Sequence, residues 1–391
     1  MNEPSPVPLR TIFLAFLEIG LTAYGMAILQ KLRALVVRRG WLTEEETSEG
    51  LAMVQLYPGP IMVDFTAYVG HRLRGVPGAL AATLGFVLPA FVLVTALSAA
   101  YFAGGELPWV HKLFLGLEAL VIGVLANVTL SLGQQAIKGR IELFIAVAAF
   151  IALLFKVNAI LVPLVALGVG ALVISRPGAA SPAQAAATSR RRLIAVMMLV
   201  MVIVASAIAA GMYGTPLGQL VVSLFKTGSV AFGSGMAIIG VMQAEMVQAH
   251  GWVSQREFLD GLALGQITPG PVLLTAAFIG YKLGGLLGAA LATFAIFAPS
   301  IAMTLAFTEV FGRIRHLQRV RGALAGVLAA FVGLLAATLW QLGHVTLDSP
   351  LLFAFAAAAF VAARGFKLDI GWVLGGGLAL WALLLALGWA G

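Results

Sequence analysis

The chain has 391 residues, of which 61% are hydrophobic and 10% are charged. Apolar runs of roughly 20 residues recur along it, the length that an α-helix needs to cross a bilayer, so the composition indicates a polytopic membrane protein and excludes a soluble domain. The absence of cysteine excludes disulfides, thiolate catalysis and cysteine-ligated metal sites.

The hydrophobic pattern predicts an all-α fold of about thirteen helical segments, arranged as two repeats joined by one connecting span. We expect the first repeat at residues 9–175, a linker plus connecting transmembrane helix at 176–216, and the second repeat at 217–391. The expected segments of the first repeat are 9–37, 44–70, 76–103, 113–135, 141–155 and 157–175. After a connecting span at 193–212, those of the second repeat are 217–248, 255–281, 284–310, 321–342, 350–364 and 370–389.

A tripeptide that occurs twice is the clearest sign of the duplication. Pro58-Gly59-Pro60 and Pro269-Gly270-Pro271 interrupt apolar segments at matching places, 211 residues apart. A membrane-spanning helix tolerates such a break only where the freed backbone groups find other partners or face a cavity. Residues that match around the breaks include Gly40-Trp41 with Gly251-Trp252, Gln55 with Gln266, Gly70 with Gly280, Gly75 with Gly285 and Pro89 with Pro299.

The predicted topology places the two repeats in opposite orientations. About six segments per repeat and one connecting span give this inversion, which is common among secondary transporters. With a cytoplasmic N-terminus, the inner loops carry about twice as many basic residues as the outer loops. The net charge of +8 therefore reflects topology and not nucleic-acid binding. We expect a multi-pass protein of the cell inner (cytoplasmic) membrane with its C-terminus outside.

Local signals predict where each broken helix begins. Thr43 with Glu46, and Ser254 with Glu257, fit a capping box, in which each side chain bonds to the backbone amide of the other residue. A helix is therefore expected to start at each box and to run for about three to four turns to the PGP tripeptide.

A second half-helix is expected after each tripeptide. It should start with Pro60 or Pro271 at its first helical position, where proline is favoured. Its opening amides, at 61–63 and 272–274, would then point out of the helix end without partners. Such an end carries roughly half a positive charge and binds anions. The alternative is that PGP only kinks a helix for packing.

The predicted substrate site comprises the breaks and the polar residues near them. Lys226 aligns with Glu18 of the first repeat. The cation of Lys226 could neutralise a divalent anion, and the carboxylate of Glu18 could carry a coupling proton. The alternatives are that Lys226 snorkels to the interface and that Glu18 packs by hydrogen bonding. Asp64 is a second candidate for coupling, or a first-turn acid that stabilises its half-helix. The expected substrate-binding residues are Gln55, Pro58, Gly59, Pro60, Ile61, Met62, Lys226, Gly233, Ser234, Gly235, Gln266, Thr268, Pro269, Gly270, Pro271, Val272 and Leu273.

Several polar residues have a structural alternative. Gln55 and Gln266 precede the tripeptides by three residues and either donate to an oxyanion or tie helices together. The hydroxyl of Thr268 often bonds back to its own helix in such positions. Glu118 and Glu245 are expected to be packing or end-of-span residues.

The pattern resembles that of the chromate ion transporters, whose two-repeat, long-chain members carry PGP in each half. In the first half, Tyr24-Gly25-Met26-Ala27 stands where family members usually have Phe-Gly-Gly-Pro, and Ile61 stands where many have asparagine. The resemblance implies transport of an inorganic oxyanion. The closest similarity lies in the second half, at Phe232-Gly233-Ser234-Gly235, Gly251-Trp252-Val253, Gly265 to Pro271, Phe278 to Tyr281, and Ala292-Thr293 through Pro299.

We therefore expect a secondary active transporter, and not an enzyme, that moves chromate, with sulfate as a competitor, by alternating access. No G-x-x-x-x-G-K-[ST] motif is present, so direct use of ATP would need another subunit. An anion channel, or a carrier of another small anion on the same fold, stays open as the alternative. The expected partners are the anion and membrane lipid, with no cofactor, metal ion or nucleic acid. A homodimer also stays open.

Overall fold

The computed structural model describes residues 7–22, 27–55, 57–104, 108–174, 190–212, 214–231, 235–314 and 318–388, and every regular element within these ranges is a helix. Short non-α turns also occur, a 3₁₀ helix at Met236–Ile238, a π-helix at Ala244–Ala249 and a 3₁₀ helix at Val272–Leu274. The α-helices are α1 Leu9–Thr22, α2 Ala27–Arg38, α3 Glu44–Val54, α4 Ile61–Gly104, α5 Pro108–Ala136, α6 Arg140–Leu154, α7 Leu161–Val173, α8 Arg190–Met212, α9 Pro216–Ser229, α10 Ile239–Gln243, α11 Gln255–Ile267, α12 Thr275–Ile314, α13 Gln318–Thr346, α14 Pro350–Arg364 and α15 Ile370–Ala386.

The opening segment of the second half is broken, which corrects the prediction of a continuous helix at 217–248. In this half α9 ends at Ser229, whereas the segment expected at 9–37 includes residues 23–26, which lie outside the described residues. The chain becomes helical again only after Gly235, whose φ of +79° belongs to the left-handed region. An α-helix cannot continue through that conformation, so the second half contains a break before its PGP tripeptide.

The longest helices, α4 and α12, each turn back on themselves at a glycine. Gly75 and Gly285 have φ of +62° and +57°, and the residue before each is also non-helical. The arms pack so closely that a Cβ at Gly70 would meet the carbonyl oxygen of Gly78, and one at Gly280 would meet that of Gly288. Each helix therefore forms a tight hairpin whose arms touch through their backbones.

The two halves of the chain are packed into one another. Helix α4 of the first half lies along α12 of the second, and α13 of the second half packs against α5, α6 and α7 of the first. Glycines make these contacts close: Gly326 of α13 lies against the backbone of Ala166 and Gly170 of α7. Such small residues let helix backbones approach inside a membrane.

Four helices in the described part of the chain are long and apolar enough to cross a bilayer, judged by length and composition. This supports a multi-pass membrane protein, while the number of spans stays a prediction. The four are Ile61–Gly104, Trp109–Ala136, Val272–Thr308 and Arg321–Thr346.

A Gly280→Ala substitution should destabilise the protein because the added methyl group has no room between the arms of α12. Overpacking of this kind costs about 1–3 kcal/mol. We expect a lower thermal unfolding midpoint in detergent. The matched control is Gly343→Ala in α13, where an added Cβ would meet nothing within 4 Å. Equal midpoints for the two variants would contradict the close packing of the hairpin.

Candidate functional site

Both capping boxes form as the sequence predicts. The amide of Glu46 donates to Thr43 Oγ1 at 3.1 Å, and the amide of Thr43 donates to Glu46 Oε2 at 2.9 Å. In the second half the amide of Glu257 donates to Ser254 Oγ at 3.1 Å, and that of Ser254 donates to Glu257 Oε2 at 2.7 Å. These boxes fix the starts of α3 and α11, the two helices that lead to the PGP tripeptides.

The prolines that end each tripeptide are N-caps, which corrects their expected position inside the helix. The carbonyl of Pro60 accepts from the amides of Val63 at 2.8 Å and Asp64 at 3.0 Å, and that of Pro271 accepts from the amide of Leu274 at 3.1 Å. The amides of Val63 and Leu274, expected to be free, are therefore occupied. The amides at 61–62 and 272–273 precede the first helical hydrogen bond and have no partner in the described structure.

Gly235 brings the breaks of both halves together. A Cβ at this position would lie 3.7 Å from Cβ of Pro60 and would collide with the side chain of Leu273. The break before α10 thus meets the first residues of both half-helices. Gly233 and Ser234, also expected at the site, lie outside the described residues. A small cavity beside Gly235 is lined by Met242, Phe258, Leu262, Val272, Leu273 and Thr275.

The helix break at the first PGP tripeptide is called the first break below, and that at the second tripeptide the second break. The first break is filled by the carboxylate of Asp64, four residues after Pro60. Asp64 is fully buried, and its side chain folds back so that a Cβ at Gly59 would fall on the carboxylate. Ser300 and Thr304 of α12 both donate to Asp64 Oδ1, the latter at 3.2 Å. The other oxygen, Oδ2, is buried without a partner in the part of the chain that the structure describes. The first break therefore contains an acidic group, held by the opposite half of the protein.

Tyr57 extends this network. Its hydroxyl donates to Thr304 Oγ1 at 2.9 Å, and its ring packs against that of Phe307. Sequence reasoning missed Tyr57, Ser300 and Thr304. Only the position of Tyr57 directly before the tripeptide could have pointed to it, since Ser300 and Thr304 are more than 230 residues from Asp64.

The second break differs from the first in its side chains. Thr275 occupies the place that corresponds to Asp64, and its hydroxyl donates to the carbonyl of Val272 at 3.0 Å. Thr268 donates back to its own helix, to the carbonyl of Leu264 at 3.1 Å. Gln266 is only 4% exposed, and neither polar atom of its side chain has a partner in the described structure. The second break thus has unpaired polar groups, and its counterpart of Asp64 is uncharged.

Three of the expected site residues are exposed instead of enclosed at the breaks. Gln55 lies at the end of α3, Lys226 in the last turn of α9 and Glu18 on α1, and the side chains of all three are exposed. The prolines and glycines of the tripeptides are buried or half-buried. The structure therefore brings the backbone breaks and Gln266 to the protein interior and leaves these other polar candidates at its surface.

Buried helix breaks within long apolar helices place the chain among multi-pass α-helical membrane proteins. The family described as "Chromate transporter" matches residues 10–174 and 218–383, and the chain belongs to this family.

Named relatives cover most of the chain. It is 30% identical over 393 residues to a chromate transport protein of Pseudomonas aeruginosa, covering 97% of this chain and 93% of the relative. It is 31% identical to a chromate transport protein of Cupriavidus metallidurans, covering 83% and 80%. It is 30% identical to an uncharacterized transporter of Methanocaldococcus jannaschii, covering 86% and 84%. No solved structure matches the chain.

A Gly235→Ala substitution tests whether the breaks meet as described. It adds backbone strain of about 1–2 kcal/mol at a positive φ and also a clash with Leu273. Gly388→Ala is the matched control, since Gly388 has φ of +76° but open space around its Cβ position. We expect the unfolding midpoint in detergent to fall further for Gly235→Ala. A fall no larger than that of the control would show that the junction is not tightly packed.

Proposed function

We propose that this protein is a secondary active transporter that carries an inorganic oxyanion, chromate with sulfate as a competitor, across the cytoplasmic membrane. The observation that carries the proposal is the meeting of two proline-capped helix starts at Gly235, deep in a helical membrane protein. Discontinuous helices of this kind form the substrate sites of many secondary transporters. The named chromate transport proteins among the relatives support chromate as the substrate.

The free amides at the start of the half-helices are the proposed anion donors. Those at 61–62 and 272–273 precede the first helical hydrogen bonds, and the positive end of the helix dipole adds to their attraction for an anion. Gln266 adds an amide group that has no partner in the described structure. An oxyanion accepts several hydrogen bonds, so a group of neutral donors suits it better than a single cation. The exposed position of Lys226 agrees with this arrangement.

The second break is the better anion site of the two. At the first break the carboxylate of Asp64 already lies against Gly59, where an ionised side chain would repel an oxyanion. At the second break Thr275 stands in the corresponding place and is uncharged. We place the oxyanion at the half-helix that begins after Pro271. Asp64 then acts on transport through its charge, since an anion can approach the first break only when Asp64 is neutral.

The proposed architecture is two inverted repeats of about six segments around this site, with one connecting span and about thirteen segments in all. The N-terminus is proposed to be cytoplasmic and the C-terminus outside. Two observations support the duplication: the family matches the chain twice, and capping boxes, breaks and glycine hairpins recur in the same order in each half. Alternating access would then arise from movement of one repeat against the other.

Uptake by proteoliposomes tests the proposal directly. Purified protein is reconstituted, and the entry of labelled chromate or sulfate is measured with and without a pH gradient and with unlabelled anion trapped inside. We expect saturable uptake that trapped anion or the pH gradient stimulates. Flux that neither saturates nor responds to trapped anion would identify a channel instead. No flux above protein-free vesicles would overturn oxyanion transport.

Replacing Gln266 with methionine should weaken transport without weakening the fold. Loss of a hydrogen bond to a charged ligand costs about 1.5–3 kcal/mol, so we expect KM for the oxyanion to rise about tenfold or more. The unfolding midpoint should stay the same or rise, because a buried amide without partners is itself unfavourable. Gln55→Met is the control at the corresponding but exposed position. Unchanged KM for Gln266→Met would remove Gln266 from the site.

A further inference from the structure

Two buried carboxyl groups from opposite halves of the chain lie together, and neither belongs to the proposed anion site. Glu118 of α5 is 1% exposed and Asp260 of α11 is 4% exposed. Their carboxyl groups are within hydrogen-bonding reach of each other. Each also accepts one bond from a hydroxyl group, Asp260 Oδ2 from Tyr101 at 2.6 Å and Glu118 Oε2 from Thr346 at 3.1 Å.

Contact between these two carboxyl groups favours one shared proton. An ionised carboxylate can only accept hydrogen bonds, so two carboxyl groups bond to each other only when one of them is protonated. Oδ1 of Asp260 is buried, and no donor among the described residues reaches it. Tyr101 and Thr346 each have one hydroxyl proton, already donated to the other oxygens. Two buried negative charges in contact would also repel strongly.

The surrounding charges nearly cancel one another. The charges that act on the pair come from Arg256, Glu257 and Asp348. The guanidinium of Arg256 contacts the ring of His111 at 3.2 Å, and Glu257 is paired with Lys282 at 2.6 Å. No ion pair joins Glu118 or Asp260 to a cation in the described structure. No cation of the described structure is therefore positioned to neutralise the pair when the proton leaves.

The pair lies on a helix that leads to the proposed anion site. Asp260 lies on α11, between Phe258 and Leu262, which line the cavity at the second break. The same helix ends at Ile267, directly before the second PGP tripeptide. Its partner Glu118 lies on α5 of the other half. A change in the charge of the pair thus acts on the contact between α11, which leads to the proposed anion site, and the opposite repeat.

We propose that Glu118 and Asp260 form the proton-binding site that couples oxyanion movement to proton movement. This rests on the proposed function. A bound oxyanion at the second break adds negative charge near α11 and favours the protonated pair, so proton and anion bind together. When the proton leaves, the two carboxylates repel and α5 and α11 separate. At least one proton then crosses the membrane with each oxyanion.

The amide variants Glu118→Gln and Asp260→Asn test this proposal, because an amide can donate the hydrogen bond of the protonated pair but cannot titrate. Three measurements in proteoliposomes are needed: counterflow of labelled chromate at equal pH, accumulation driven by an inward proton gradient, and proton entry reported by a trapped pH-sensitive dye. The control is Glu245→Gln, which changes another buried glutamate, 6% exposed and bonded to Ser223 at 2.7 Å.

We expect both amide variants to keep measurable counterflow while gradient-driven accumulation and proton entry fall by about tenfold or more, a size typical of coupling between sites. Glu245→Gln should accumulate chromate like the wild type. Accumulation and proton entry at wild-type levels in Glu118→Gln and Asp260→Asn would overturn the proposal. Absence of counterflow in the wild type would instead overturn oxyanion transport itself.

A measurement on the wild type covers the case in which neither amide variant folds. Sulfate or chromate is added to the detergent-purified protein in weak buffer, and the pH of the solution is followed. Proton uptake on addition of the anion is expected at starting pH values at which the pair has lost its proton in the absence of anion. Addition of either anion without any uptake of protons over the whole range of starting pH would overturn the coupling role of the pair.

Discussion

A broken helix inside a membrane leaves backbone donors and acceptors that lipid cannot satisfy, and the arrangement of this protein follows from that constraint. The breaks contain glycine, which tolerates the required conformations, and proline, which has no backbone N–H that would be left without a partner. Each break is covered by residues from the opposite half of the chain. Asp64 at the first break is held by Ser300, and Gly270 at the second lies against Ala90. Neither half could bury its own break in this way.

The two halves share a backbone pattern but differ in the side chains that face the breaks. Where the first half has Asp64, the second has Thr275, and Ser300, which holds Asp64, corresponds to Ala90. Both differences remove polar or charged groups from the second break. A symmetric pair of helix starts thereby becomes one site with an internal carboxylate and one without. This difference, and not the duplication itself, is the reason why we propose the second half-helix as the place for an anion.

Local features could be predicted from the sequence to the residue, and tertiary ones could not. Thr43 and Ser254 marked the helix starts because capping depends on residues three positions apart. Sequence analysis missed the break at Gly235, because the hydrophobic pattern continues across it. A glycine in an apolar run does not by itself indicate a positive φ. The bond from Ser300 to Asp64 and the pairing of Glu118 with Asp260 join distant parts of the chain. Periodicity and spacing contain no information on such contacts.

The contacts between the halves fall into two kinds, and their chemistry is the basis on which we propose which of them change during transport. Helix α13 meets α6 and α7 through close backbone contacts at Gly326 and Gly333, and glycine itself has no side-chain group that titrates or binds ligand. The contacts of α4 with α12 and of α5 with α11 contain buried carboxyl groups instead. The energy of a carboxyl contact changes with every proton gained or lost, whereas that of a glycine contact does not. In the alternating-access mechanism that we propose, the glycine interface would stay closed. The two polar interfaces, which border the helix breaks, would be the ones that rearrange.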